Sequence, residues 1–83
     1  MEQITRTPKQ LGLVLQRHRK AVGLSQEALA TQVHLRQATI SSLENSATDA
    51  RLGTLFDTLA ALDLELVIRP RTKANTDSIE DLF

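Results

Sequence analysis

From Ser25 to Asn45 the chain reads SQEALATQVHLRQATISSLEN, and its polar residues are of the kinds that bond base edges and phosphate oxygens. Gln37 can make a bidentate contact to adenine, Ala38 and the methyl of Thr39 can meet a thymine methyl, and Ser42 can bond base or phosphate. Arg36 stands where an N-cap side chain is expected. Arginine is a poor cap, so its guanidinium is expected outward, on guanine or phosphate. Ser25 and Gln26 open a helix at its positive end, where they can hold a phosphate oxygen and so position the protein without reading sequence. Ser41, Ser46 and Thr48 offer further hydroxyls to phosphate. The alternative is a merely solvated helix face; that these residues fall together in the expected docking turn favours DNA reading over it. Lys9, Arg17, Arg19, Lys20 and Arg51 can follow phosphate tracks or simply solubilise the surface, and Asn45 can equally cap the end of its helix.

Catalytic chemistry finds few candidates. His18 and His34 have no Cys or His at metal-ligand spacing, and His18 falls on a mostly apolar helix face as a core-edge packing residue. Ser41 and Ser42 have no placed base or oxyanion donor, and no glycine-rich phosphate loop is present. The expectation is a protein that is not an enzyme and needs no cofactor or metal.

The elements that position the polar residues follow from apolar spacing. Thr7–Val22 reads as a first helix with Thr7 as N-cap, Pro8 at N1 and Gln10 completing a capping box. Leu11, Val14, Leu15 and His18 share one face, and Gly23 ends the helix with Leu24 packing back. Ser25 caps Gln26–Gln32, whose inward residues are Leu29, Ala30 and Val33, with Glu27 in the first turn. A turn around His34 and Leu35 leads to Gln37–Asn45, burying Ile40 and Leu43 and showing Gln37, Ala38, Thr39, Ser41, Ser42 and Glu44 on its other face. These residues add little helix propensity or core, so something other than stability selects that face. Ser46–Arg51 is a polar loop. A fourth helix runs from about Leu52 to Leu62, with Leu52, Leu55, Phe56, Leu59 and Leu62 inward and an unfavourable early Gly53.

Leu64–Arg69 (LELVIR) is rich in branched apolar residues, stops at Pro70 and reads as one strand. Paired antiparallel with its own copy it gives an isologous homodimer through Leu64, Leu66, Val67 and Ile68, with Leu64, Leu66 and Ile68 on one face over the helices. The alternatives are an extension of the fourth helix or pairing with Glu2–Thr5 of the same chain. Residues 1–6 are a lead, 7–69 the domain, and 70–83 a polar tail expected to be disordered. Its acidic-apolar end, SIEDLF, offers Ile79, Leu82 and Phe83 as anchors for a partner or is simply frayed.

With 83 residues there is room for one small domain, marginal alone, and without Cys it has neither a disulfide nor a thiolate metal site to stabilise it. Ten Lys+Arg cancel ten Asp+Glu. The balance is uneven: residues 1–51 carry seven basic against four acidic residues (+3), and residues 52–83 three against six (−3). The total hides a local basic footprint. No apolar run approaches the roughly 20 residues of a membrane span, and MEQITRTPK lacks a signal-peptide pattern, so a soluble, cytoplasmic protein with no membrane partner is expected.

Two short helices with Leu29, Val33, Leu35, Ile40 and Leu43 around the small Ala30 meet the requirement for a close crossing, the spacing of a helix-turn-helix. His34 departs from it, because such turns usually place glycine there. Histidine is nonetheless enriched among residues that accept positive φ. SQEALATQVHLRQATISSLEN resembles the helix-turn-helix of the phage-repressor-like (Xre/Cro) class. Thr7–Ile68, about three quarters of the chain, is similar to the HipB antitoxins in its RQATISSLEN helix, its TLFDTLAALDLELVI segment and its single final strand. The resemblance implies a mainly α, lambda-repressor-like domain of four to five helices with one C-terminal β-strand that pairs across a homodimer. It further implies recognition helices in successive major grooves of a palindromic operator, repression of the chain's own operon, and neutralisation of a HipA-like toxin with a serine/threonine-kinase fold. A stand-alone repressor or restriction-modification controller of the same fold is the nearest alternative. An adaptor that offers the same surface to a protein is a further one.

Overall fold

The computed structural model describes residues 2–71. Four α-helices follow in order, α1 (Pro8–Ala21), α2 (Gln26–Gln32), α3 (Gln37–Asn45) and α4 (Leu52–Ala61), with a 3-10 turn at Ala47–Asp49. Thr7 caps α1 by accepting from the Gln10 N–H at 3.1 Å, and the Gln10 side chain reaches back to the Arg6 N–H at 2.6 Å. Ser25 caps α2 through the Ala28 N–H at 3.0 Å.

Three of the helices end in one way. After α1, Leu24 N–H bonds Arg19 O and Gly23 N–H bonds Lys20 O; after α2, Leu35 bonds Ala30 and His34 bonds Thr31; after α4, Leu64 bonds Leu59 and Asp63 bonds Ala60. This is the paired 6→1 and 5→2 arrangement of a Schellman cap. The residue it places in the left-handed region is Gly23 (φ 80), His34 (φ 58) or Asp63 (φ 58). Each is followed by a leucine, Leu24, Leu35 or Leu64, that packs against the core.

The core is Leu15, Leu29, Ala30, Ile40, Leu43, Leu55, Leu59 and Leu62. α3 is clasped between α1 and α2. Gly12 allows the approach of α1: a Cβ there would run into the Glu44 carbonyl and lie 2.7 Å from that of Leu43. Thr58, only 1% exposed, satisfies its hydroxyl on Thr54 O at 2.8 Å.

The structure corrects three expectations about packing. Leu52 and Phe56 do not point inward; they are 69% and 49% exposed. The buried stripe of α4 is Leu55, Thr58, Leu59 and Leu62, one residue off Phe56 and past the end of the core at Leu52. The strand over Leu64–Arg69 is not formed, and no β-ladder occurs among the described residues. The Leu64 N–H is already committed to closing α4, and the residues beyond it find no neighbouring strand to satisfy their backbone groups. Leu66, Val67 and Ile68 are therefore exposed, Ile68 by 90%, instead of lying over the helices. Ile79, Leu82 and Phe83 of the tail lie outside the described residues. No helix among the described residues is long and apolar enough to cross a membrane.

Candidate nucleic-acid interface

The α2–α3 unit is held at its turn by His34 and from behind by a buried ion pair. Arg19 and Glu44 are 6% and 2% exposed. Arg19 donates from Nε to Glu44 Oε2 at 2.6 Å and from Nη2 to Oε1 at 3.0 Å, a bidentate fork, and from Nη1 to the Leu24 carbonyl at 2.7 Å. The hydrogen bond that Arg19 donates to Glu44 is the main cause that raises the Arg19 pKa above its usual range; burial opposes it and the carboxylate charge adds to it.

The pair is relayed to the surface by two glutamines. Gln26 Nε2 donates to Glu44 Oε1 at 3.1 Å, and Gln37 Nε2 donates to Gln26 Oε1 at 3.2 Å. A connected path thus runs from α1 through α3 and the first residue of α2 to the first residue of α3. One N–H spent on Gln26 leaves Gln37 one donor and its carbonyl acceptor, the pair an adenine edge requires. Gln26 likewise keeps one N–H for a phosphate oxygen.

Arg36, Gln37, Ala38 and Ser42 are exposed, and Thr39 and Ser41 are half-buried. Arg36 makes no side-chain cap bond at the start of α3. Ser25 is exposed at the start of α2, Gln26 is half-buried, and beyond α3 Ser46 and Thr48 bond each other through their hydroxyls at 2.7 Å. These positions lie at the openings of α2 and α3, along α3, and in the loop after it. Two residues read from sequence as surface groups are elsewhere. Glu44 is not on the outer face of α3 and Arg19 is not on a phosphate track; both are spent on each other inside. The periodicity held the clue: Arg19 continues the buried stripe Gly12–Leu15, and Glu44 follows Ile40 at a helical spacing of four. A charged residue on each of two facing apolar stripes marks a buried pair. Among the described residues no cluster of His, Cys, Asp or Glu is arranged to hold a metal ion.

The helix-turn-helix family model matches residues 15–68, and the chain belongs to that class. Antitoxin HipB of Escherichia coli (strain K12) is 32% identical over 74 residues, covering 89% of this chain and 84% of the relative. The structure of a HipB–O4 20mer complex superposes with a TM-score of 0.80 at 31% identity, covering 86% of this chain and all of the other. That of a HipA–HipB–O2–O3 complex does so with a TM-score of 0.79 at 31% identity and the same coverage. Within the class, the chain is a member of the HipB-type antitoxin family.

Proposed function

We propose that two copies of this chain bind a palindromic operator and repress their own operon, and that the dimer also binds and neutralises a HipA-like serine/threonine kinase toxin. The observation that carries the DNA reading is Gln37, exposed at the start of α3 and steadied by Gln26, with donor and acceptor both left open. Arg36, Ala38, Thr39 and Ser42 read beside it, while Ser25, Gln26, Ser41, Ser46 and Thr48 hold phosphates. Residues beyond Leu64, led by Leu66, Val67 and Ile68, pair with their copies, and the half-sites lie about one helical turn or a multiple apart.

The test is fluorescence anisotropy on duplexes spanning the chain's own promoter at several salt concentrations. Phosphate neutralisation gives a steep negative slope of log K on log salt, and Gln37→Ala should weaken operator binding by about 1–3 kcal/mol and relax one base position. Equal loss on random DNA refutes direct readout, and a flat salt dependence favours a protein adaptor. The toxin reading is supported by the relative solved as a HipA–HipB complex. It is tested by co-purification with the product of the neighbouring gene, whose absence or lack of kinase fold favours a stand-alone repressor. Ile79, Leu82 and Phe83 are proposed as toxin anchors, so removing residues 72–83 should weaken toxin binding and leave operator binding intact.

A further inference from the structure

His34 departs from the glycine that turns of this kind usually hold, and the proposed function gives its side chain no part. The Schellman geometry is the same at the ends of α1, α2 and α4, and at the end of α1 the left-handed place is taken by Gly23, which has no side chain to strain. At the end of α2 it is taken by a histidine at φ 58, in a conformation that the side chains of L residues oppose. Asp63, the other non-glycine residue with positive φ, closes α4; His34 stands inside the helix-turn-helix, between α2 and α3. The fold does not account for its imidazole. His34 is exposed, and among the described residues its ring has no hydrogen bond and no ion pair. A strained residue whose side chain gives nothing to packing points to a use outside the fold.

Its place fixes what that use is. Three residues, at most about 10 Å of chain, separate His34 from Gln37, and Arg36 lies between them. The major groove is about 12 Å wide, so with Gln37 on a base edge the chain that leads into α3 crosses the groove wall, where the phosphates are. Charges around the turn are few. α2 carries only Glu27, in its first turn, α3 only the buried Glu44 after Arg36, and α4 only Asp57, while Asp49 and Arg51 line a hollow with Leu35. None of them pairs with His34. We propose that His34 is a proton-linked ligand of the DNA backbone, its imidazolium donating to a phosphate oxygen beside Arg36. Histidine changes charge between about pH 5 and 8, and an anion against the ring favours the charged form. Binding therefore takes up a proton, and affinity increases as pH falls through that window. The inference rests on the DNA reading above and adds to it one backbone contact in each protomer and a pH dependence.

Fluorescence anisotropy of the full chain on the promoter duplex and on a random duplex, at about pH 8 and about pH 5.5 and fixed ionic strength, tests it. His34→Gly and His34→Asn both accept the left-handed turn, and neither side chain titrates. Two contacts per dimer of the usual exposed strength multiply to about two- to thirtyfold, so the wild-type chain should gain that much over either variant on passing to the lower pH. There its salt slope should be steeper than the variants' by about two, close to 0.9 for each phosphate. A phosphate carries no sequence, so the gain should be the same on the random duplex. Variants that keep the wild-type pH response overturn the inference and leave the DNA reading standing. A loss equal at both pH values overturns the proton linkage, and a gain confined to the operator overturns the phosphate assignment. A wild-type chain that binds no duplex at either pH overturns the DNA reading and this inference together.

Discussion

Replacing Glu44 by alanine should be among the most damaging single substitutions in the domain. The carboxylate accepts two bonds from Arg19 and one from Gln26, and all three donors are within 3.1 Å. Without it Arg19 stays buried at 6% exposure with only the Leu24 carbonyl for a partner. Removing one member of a buried pair typically costs about 3–5 kcal/mol, mostly the penalty of the stranded charge. A domain of this size sits near the lower end of the usual range of about 5–15 kcal/mol, so Glu44→Ala should leave it barely folded. Urea denaturation at fixed protomer concentration measures this, since the proposed dimerisation makes stability concentration-dependent. The double variant Arg19→Met with Glu44→Leu removes both charges. Such apolar replacements are often neutral or stabilising by about 1–4 kcal/mol, so the fold should return.

Recovery of operator binding should lag behind recovery of the fold. Gln26 has lost its anchor in the double variant, and an unanchored side chain must be ordered on binding at about 0.5–1.5 kcal/mol per protomer. A cost under about 1 kcal/mol for Glu44→Ala would show that the pair is not desolvated. A double variant with full affinity and unchanged base preference would show that the glutamine relay does not serve readout.

The backbone supplies further predictions. Gly12→Ala adds helix propensity worth about 1 kcal/mol, yet its methyl would collide with the Leu43 and Glu44 carbonyls; overpacking of this kind costs about 1–3 kcal/mol, so thermal unfolding should show a net loss. Gly53→Ala meets nothing within 4 Å and should stabilise by up to about 1 kcal/mol in the same assay. His34→Gly relieves a left-handed residue at φ 58; the relief of about 1–2 kcal/mol, less the extra entropy of an unfolded glycine, leaves a gain of about 0.5–1 kcal/mol by urea titration. A loss at His34 would mean that its side chain makes a contact worth more than the strain.

Much of the helical framework was legible because its signals are local. Thr7, Pro8 and Gln10 start α1, Gly23 ends it, and Ser25 starts α2, each through atoms within a few residues. The third Schellman cap was less visible because its left-handed residue is Asp63, not glycine, although Val-Gly-Leu, Val-His-Leu and Leu-Asp-Leu share a pattern of apolar, left-handed, leucine. Reading that pattern assigns Leu64 to the end of α4 and shortens the extended segment by one residue. Apolar spacing along α4 takes in Leu52 and Phe56, whereas the buried stripe is narrower, at Leu55, Thr58, Leu59 and Leu62. Strand formation was not decidable from one chain's sequence, because a ladder belongs to the neighbour as much as to the residues that enter it.

The buried pair also changes how charge bears on DNA. Arg19 and Glu44 are one cation and one anion of residues 1–51, so withdrawing both leaves that half at +3, now six basic against three acidic residues. The long-range field is unchanged, while one possible phosphate ligand is lost to the interior. The salt slope of operator binding, close to 0.9 per phosphate neutralised, should therefore not fall when Arg19→Met is made together with Glu44→Leu. It should fall by about one unit per contact when an exposed residue such as Arg36 is neutralised and does hold a phosphate. If the double variant flattens the slope, Arg19 reaches phosphate after all, and the ion pair must open when DNA binds.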